Sequence, residues 1–290
     1  MTSLLGYPST EPRLVALAGP REPTYLSTLS LRTRARWRFA RTGGRWLWAE
    51  PPASVARAWD IGVDLLEAHE ETMFGVLSEP GSEQRLTLIP DEGERVVKVA
   101  VHPSADEVVA RERANLLQVR ESAWSGLAPR AEGRPETERE ALVMERVTGR
   151  HPRWDDHVYA DLRRALTAGG RLDVEEALFH GDVTPWNTLT ADSGGLRLLD
   201  WEYADLAHPA HCVCGLLDFA LRGAIAARAR PARVQPVFDA VLTVAEIGPD
   251  EARSVIDLYG RYRQQIREVT TRPDRLSQRA EELLRRCLPA

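Results

Sequence analysis

The chain has 290 residues, of which 43% are hydrophobic and 28% charged, and its formal net charge is −5. This length can bury a substantial core and predicts two lobes or domains. The acidic balance argues against nucleic acid as the main partner, and the sequence has no run of about eighteen apolar residues of the kind that predicts a membrane-spanning helix.

Residues 1–70 are interpreted as an N-terminal extension. Residues 1–25 are rich in Pro, Gly, Ser and Thr, which predicts coil or a loosely attached strand. They lack a basic start followed by an unbroken apolar stretch, so we expect no secretory signal and a cytoplasmic protein. Two alternating runs around a glycine turn in residues 29–48 predict a β-hairpin, whose arginines favour a solvated strand face over a nucleic-acid surface. Residues 54–70 have apolar positions at helical spacing.

Residues 71–147 predict an antiparallel sheet and one helix. Three strands are expected, near residues 72–78, 84–89 and 95–101. The stretch from Ser104 to Arg120 has the composition of a helix, with Ser104 as its cap. Lys98 lies in the β-branched run RVVKVAV, where a lysine must either emerge at a strand edge or have a charged partner.

The stretch HGDVTPWN, from His180 to Asn187, is followed by Asp200 in LLDWE. Moving a γ-phosphoryl group to a hydroxyl requires a carboxylate that orients the acceptor and metal ligands that neutralise charge on the phosphate oxygens. Asp182 and Asn187 have the spacing at which a kinase catalytic loop holds its base and a Mg²⁺ ligand. Asp200 follows where a second metal ligand belongs, so the pattern predicts a phosphoryl-transfer centre.

The residues around this motif predict a loop followed by a hairpin. Gly181 allows a tight turn behind the carboxylate, and Pro185 stops a helix from running through the loop. A strand at 187–190, a turn in ADSGG and a returning strand at 196–199 would form the hairpin. Its ends come together, so Asn187 and Asp200 can bind one metal cluster.

On HGDVTPWN and LLDWE, the chain resembles the aminoglycoside phosphotransferase and choline kinase family, relatives of the protein kinases in which HGD replaces HRD and DWE replaces DFG. The resemblance covers about residues 71 to 225. It implies an α+β, bilobal protein-kinase-like fold. The nucleotide-binding N-lobe would span 71–147, with an antiparallel sheet and one helix, and the mainly helical C-lobe 148–290, in addition to the N-terminal hairpin and helix.

The resemblance implies roles for the residues of the loop and hairpin. Asp182 would be the catalytic base, and Asn187 and Asp200 the magnesium ligands. His180 would be a scaffold residue that bonds backbone around Asp200 and does not titrate in the reaction.

It also implies an ATP site in the first lobe. Lys98 would bind the α- and β-phosphates and pair with Glu112, which is preferred over Glu107 because it stands just ahead of the apolar pair Leu116-Leu117. Ser82, in the turn after the strand predicted near residues 72–78, would help to cradle the phosphates. The turn is not a GxGxxG, and a plain hairpin turn explains its sequence equally well. The adenine ring would be held by three hinge residues, namely the Glu145 carbonyl, the Val147 N–H and the Met144 side chain.

The segment after Asp200 departs from the family pattern. The family has Pro, two residues and then a bracing Asp, whereas HPAHC places Cys212 there, so the brace is missing or is supplied by Asp218 or another group. Cys212 and Cys214, with nearby histidines, suggest zinc, but the surrounding apolar residues favour a buried helix. Four helices are predicted beyond this point, near residues 209–228, 231–246, 249–270 and 272–288.

The expected function is an ATP- and Mg²⁺-dependent kinase that phosphorylates a hydroxyl of a sugar or sugar-like metabolite. An aminoglycoside-type antibiotic is the alternative acceptor, because acidic residues such as Asp155 and Asp161 could attract a cation, although a solvated helix face explains them as well. A silent nucleotide-binding scaffold of the same fold has little support, since Lys98, Asp182 and Asn187 are present with Asp200. A protein kinase is disfavoured because no APE-like segment follows Asp200.

Overall fold

The computed structural model of the chain describes residues 4–6, 14–17, 52–67, 73–78, 84–90, 92–122, 124–169, 178–206, 211–248, 251–269 and 275–287. The chain divides into two compact units, residues 1–117 with 129–147 and residues 118–128 with 148–290. The hairpin predicted at residues 29–48 lies outside the described residues, and the division into a 1–70 extension and two lobes stays a prediction.

The first unit contains a six-stranded antiparallel sheet in the order β1-β2-β3-β4-β5-β6. Its strands are β1 (Leu4–Gly6), β2 (Leu14–Leu17), β3 (Met73–Leu77), β4 (Arg85–Pro90), β5 (Arg95–Ala100) and β6 (Ala141–Glu145). The three strands predicted between residues 72 and 101 are present, and each end lies within one residue of the prediction. Part of the N-terminal segment expected as coil or a loose strand forms β1 and β2.

Two helices belong to this part of the chain, α1 (Ala53–Leu66) and α2 (Pro103–Arg120). The prediction carried α1 on to residue 70, but Glu67 takes a left-handed conformation with φ 50° and its N–H bonds back to Asp64 O, which ends the helix. α1 packs on β4 and β5. The shared core consists mainly of Val55, Ala58, Trp59, Leu66, Leu86, Leu88, Val97, Val99 and Val143.

The second unit is mainly helical. Its helices are α3 (Tyr159–Gly169), α4 (His211–Ala226), α5 (Pro231–Ala245), α6 (Ala252–Val269) and α7 (Arg275–Cys287). A three-stranded sheet joins β7 (Gly149–Arg150), β9 (Thr188–Ala191) and β10 (Leu196–Leu198), and a second, two-stranded sheet joins β8 (Leu178–Phe179) and β11 (Asp205–Leu206). The four helices predicted after residue 209 are all present.

Helix α4 is the central helix of the second unit. It packs against α3, α5, α6 and α7, and nearly all its described side chains from Cys214 to Ala224 are buried. A helix that is apolar on every side belongs in a protein interior. None of the helices in the described ranges is both long and apolar enough to cross a membrane.

The contribution of α1 to the free energy of unfolding can be measured by substituting Trp59. Trp59 is 3% exposed in the core that α1 shares with the sheet, so Trp59→Ala should lower the free energy of unfolding by about 3–5 kcal/mol in a denaturant titration. Asp64→Ala, at an exposed position of the same helix, is the control and should stay within about 0.5 kcal/mol of the parent. An unchanged unfolding transition in Trp59→Ala would show that α1 does not stabilise the sheet.

Candidate active site

The loop from His180 to Asn187 connects β8 to β9 and is buried except for Trp186. Gly181 has φ 79°, a left-handed conformation that favours glycine. The Asp182 N–H donates to His180 Nδ1 at 3.2 Å, so Nε2 carries the ring proton and donates to Leu199 O at 2.7 Å. His180 therefore ties the loop to the residue before Asp200, as the sequence predicted.

The predicted hairpin brings Asn187 and Asp200 to the same end. β9 and β10 are antiparallel, with Thr188 opposite Leu198, and the Leu199 N–H donates to Asn187 O at 2.7 Å. The turn uses Gly194 and Gly195, both at positive φ. Asp200 itself has φ 58° and ψ 68°, a left-handed conformation that non-glycine residues adopt rarely, at turns, helix ends and functional sites.

The Asp182 carboxylate lies in a buried position and is held at both oxygens. Oδ1 is 2.7 Å from Arg222 Nη1, and Oδ2 accepts from Asn187 Nδ2 at 2.8 Å. Asn187 Nδ2 also donates to Asp182 O at 3.1 Å, and this second bond fixes the loop backbone. Burial raises the pKa of Asp182, and the positive charge of Arg222 opposes that rise.

Arg222 lies on α4 and was not singled out in the sequence. Its neighbour Gly223 has no room for a side chain, because a Cβ there would lie 2.8 Å from Pro185 Cγ in the loop and 2.4 Å from Trp154 Cβ. This close approach of helix and loop is what lets the Arg222 side chain reach Asp182. The guanidinium carbon also lies 5.9 Å from the ring centroid of Trp186.

A second buried group of polar side chains supports the loop from behind. Asp218 on α4 is fully buried and accepts from Tyr259 OH at 2.6 Å and from Arg263 Nη1 at 2.9 Å, both on α6. The Tyr262 hydroxyl lies 3.0 Å from Asp218 Oδ2 and 3.1 Å from Gly181 O. Asp218, one of the two possibilities raised for the missing brace, thus connects to the loop through Tyr262.

The residues at the hairpin end fit a magnesium ion. The Asn187 amide nitrogen is engaged with Asp182, so its oxygen is the atom that can bind a cation, and Asp200 adds a carboxylate. Magnesium usually takes one or two carboxylates together with waters and substrate phosphates, and it rarely sits in an all-protein cage. Consistently, no group of three His, Cys, Asp or Glu side chains in the described chain is placed to hold a metal by itself. Of the two cysteines suggested for zinc, Cys214 is a buried free thiol, and the side chain of Cys212 lies outside the described part of the chain.

In the first unit, Lys98 and Glu112 form a buried ion pair. Lys98 Nζ is 2.6 Å from Glu112 Oε1, and the side chains are 6% and 1% exposed. Glu107, the residue not preferred, is exposed. A lysine in this position carries a charge with very little water, which requires a partner of this kind.

The remaining nucleotide-site predictions fall at the end of β6 and in the turn after β3. Met144 is 7% exposed and pairs with Val96. The Glu145 N–H donates to Arg130 O at 2.8 Å, and Val147 is the last residue of the first unit. Ser82 lies outside the described residues, and the roles of all four residues stay predictions.

Comparison with known proteins identifies the fold of the chain. No protein-family model matches the chain, and no curated protein matches its sequence. The aminoglycoside phosphotransferase APH(2″)-Ib, solved with ADP, is 14% identical with a TM-score of 0.51 over 79% of this chain and 96% of that one. The ternary complex of APH(2″)-IIa with streptomycin and ATP gives 11% identity and a TM-score of 0.50 over 75% and 91%.

The chain has the fold of the aminoglycoside phosphotransferases. The protein-kinase-like α+β fold that HGDVTPWN and LLDWE implied is therefore confirmed. At these identities the likeness concerns the fold, and the chemistry has to be argued from the residues of the site.

The group around Asp218 should dominate the stability of the second unit. Asp218→Ala leaves the Arg263 guanidinium, 2% exposed, without its carboxylate. We expect a loss of about 3–5 kcal/mol in the free energy of unfolding, measured by denaturant titration. Asp257→Ala, at an exposed position of α6, is the control.

The double variant Asp218→Ala/Arg263→Met separates a broken ion pair from lost packing. It should recover part of the loss, because no uncompensated charge remains buried. If the losses in the free energy of unfolding from the two single substitutions simply add in the double variant, Asp218 and Arg263 are not a coupled ion pair and this interpretation is wrong.

Proposed function

We propose that the protein transfers the γ-phosphoryl group of ATP to a hydroxyl group of a small molecule, with Mg²⁺. The observation that carries this proposal is Asp182, a carboxylate held at both oxygens in a loop that also positions Asn187 beside Asp200. This arrangement of side chains suits transfer to an alcohol, in which a fixed carboxylate takes the proton of the hydroxyl that is phosphorylated.

In the proposed reaction, Asp182 orients the acceptor hydroxyl and takes its proton as the new O–P bond forms, while the bond from the γ-phosphorus to the β–γ bridging oxygen breaks and ADP leaves. Asn187 and Asp200 hold the magnesium ion, which when bound neutralises charge on the phosphate oxygens. Lys98, fixed by Glu112, binds the α- and β-phosphates. Ser82 and the hinge residues Met144, Glu145 and Val147 are proposed to complete the nucleotide site.

The fold neighbours bear on the acceptor class. Both are named aminoglycoside phosphotransferases, and one was solved with streptomycin, which supports the antibiotic alternative better than the sugar-metabolite kinase that the sequence put first. We therefore propose a hydroxylated antibiotic as the first acceptor class to test. A sugar remains a second candidate, favoured by the positive charge of Arg222 at the proposed base.

The function is tested by an ATP-consumption screen of the purified protein against aminoglycosides, other hydroxylated antibiotics, sugars and amino alcohols. Asp182→Asn is the blank, because it keeps the shape of the side chain and removes its basicity. We expect turnover to fall by at least about 10²–10⁴-fold, with nucleotide affinity largely unchanged, because Asp182 is assigned to the acceptor. Circular dichroism confirms that the variant is folded, and turnover near that of the parent would remove Asp182 as the base.

The assignment of Asp200 as a magnesium ligand predicts a loss of nucleotide affinity. Asp200→Ala should weaken Mg·ATP binding by calorimetry by at least about tenfold, since the magnesium ion would lose a charged ligand. Asp192→Ala is the matched control, because Asp192 is an exposed carboxylate in the turn of the same hairpin. Equal Mg·ATP affinity in the two variants would contradict the assignment.

A further inference from the structure

Arg222 neutralises the carboxylate that the proposed reaction uses. Its Nη1 is 2.7 Å from Asp182 Oδ1, and the two side chains are only 11% and 13% exposed. Water screens charges weakly at such positions. An ammonium group brought near Asp182 would therefore meet a carboxylate whose charge is already balanced, together with a guanidinium that repels it.

Trp186 adds an apolar surface at the same place. Its side chain is 39% exposed, although it lies one residue from Asn187 in a loop that is otherwise buried. An aromatic ring face can attract a cation, but the Arg222 guanidinium already lies over this ring at 5.9 Å from its centroid. The indole therefore offers apolar contact area beside the fixed pair of Arg222 and Asp182. Apolar surface with a few fixed polar groups is typical of a small-molecule site.

The other charges near this position are themselves paired or buried. Asp218 is paired with Arg263, and Glu202 is 4% exposed. Two of the acidic residues that suggested a cationic acceptor, Asp155 and Asp161, also have partners. Asp155 pairs with Arg153 and Arg233, and Asp161 with Arg164. Asp161 lies on an exposed helix face, whereas Asp155 lies in the turn before that helix and its side chain is 19% exposed. In both cases the paired arginine reduces the attraction of the carboxylate for a cationic acceptor.

Resting on the proposed phosphotransferase function, we propose that Arg222 and Trp186 select an acceptor whose reacting hydroxyl lies on an uncharged hydroxylated ring. The indole contacts the ring, and Arg222 disfavours an acceptor that carries an ammonium group beside that hydroxyl. Such a ring occurs in free sugars and in the neutral sugar units of hydroxylated antibiotics. Arg222 is in this sense a specificity-determining residue and a positioning residue for Asp182.

Matched acceptors that differ in one charge test the inference. One set is a sugar, its 2-amino-2-deoxy analogue and the N-acetylated form of that analogue. The second is an aminoglycoside and its N-acetylated form, and the third is an antibiotic whose sugar units are uncharged. The ratio of kcat/KM for the uncharged form to that for the cationic form is measured at neutral pH, and the sets distinguish a sugar metabolite from an antibiotic.

For the wild-type protein we expect this ratio to be at least about 10, since close like charges oppose binding. In Arg222→Gln it should fall toward 1, and Arg222→Lys, which keeps the charge, should retain it. Arg233→Gln is the matched control, because Arg233 also pairs with an aspartate, Asp155, and lies over an indole, that of Trp154. It should leave the ratio unchanged.

Trp186→Ala should raise KM for the uncharged ring several-fold with a smaller change in kcat, as expected for lost ring contact. A wild-type ratio below 1, or the same ratio in wild type and Arg222→Gln, overturns the inference and leaves the phosphotransferase function standing. Turnover of no compound above the Asp182→Asn blank overturns the proposed function instead. If Arg222→Gln fails to fold, the wild-type ratio and the KM of Trp186→Ala still decide the outcome.

Discussion

The burial of one negative charge, that of Asp182, is the constraint on which the second unit depends. A carboxylate with little access to water is costly unless other groups satisfy its oxygens. Here Arg222 and Asn187 each satisfy one oxygen. The loop, the hairpin that starts at Asn187 and the helix that carries Arg222 must all be in place for this to happen.

Helix α4 meets that requirement because glycines face the loop and allow the helix to approach it closely. At Gly223 a side chain would collide with Pro185 and Trp154, and at Gly215 a Cβ would lie 3.4 Å from Val183 Cγ2. Glycine in a helix interior costs stability, so two glycines facing the loop indicate that close packing is what this helix provides. The gain is a guanidinium at a fixed distance from the loop carboxylate.

Two further ionic contacts of the interior follow the same rule. Lys98 with Glu112, and Asp218 with Arg263, are nearly excluded from water, and the Tyr259 and Tyr262 hydroxyls lie within hydrogen-bonding distance of Asp218. Burial, with the negative charge of Asp218 adding to it, raises the pKa of both tyrosines well above the usual value, so they remain protonated. Tyr262 therefore provides a neutral link from this group to the Gly181 carbonyl.

The sequence by itself determined the local parts of this arrangement. Asp182, Asn187 and Asp200 could be found because a loop and a hairpin relate them over a few residues. Glu112 was chosen as the partner of Lys98 through the resemblance to a known family, and the structure confirms the pair. The strands and helices followed from periodicity within a few residues of their ends. The end of α1 was overextended, since a left-handed cap at Glu67 leaves little mark in composition. Ser104, predicted as the cap of α2, lies inside that helix, which begins at Pro103.

Only the tertiary structure decided which side chains surround the loop. Tyr262 contacts Gly181 across 81 residues, and Arg263 pairs with Asp218 across 45. In the sequence, Arg222 is one arginine among several near the end of a helix, where charge usually indicates a solvated face. Its partner depends on how closely α4 approaches the loop, and packing between distant segments has no signature in local spacing.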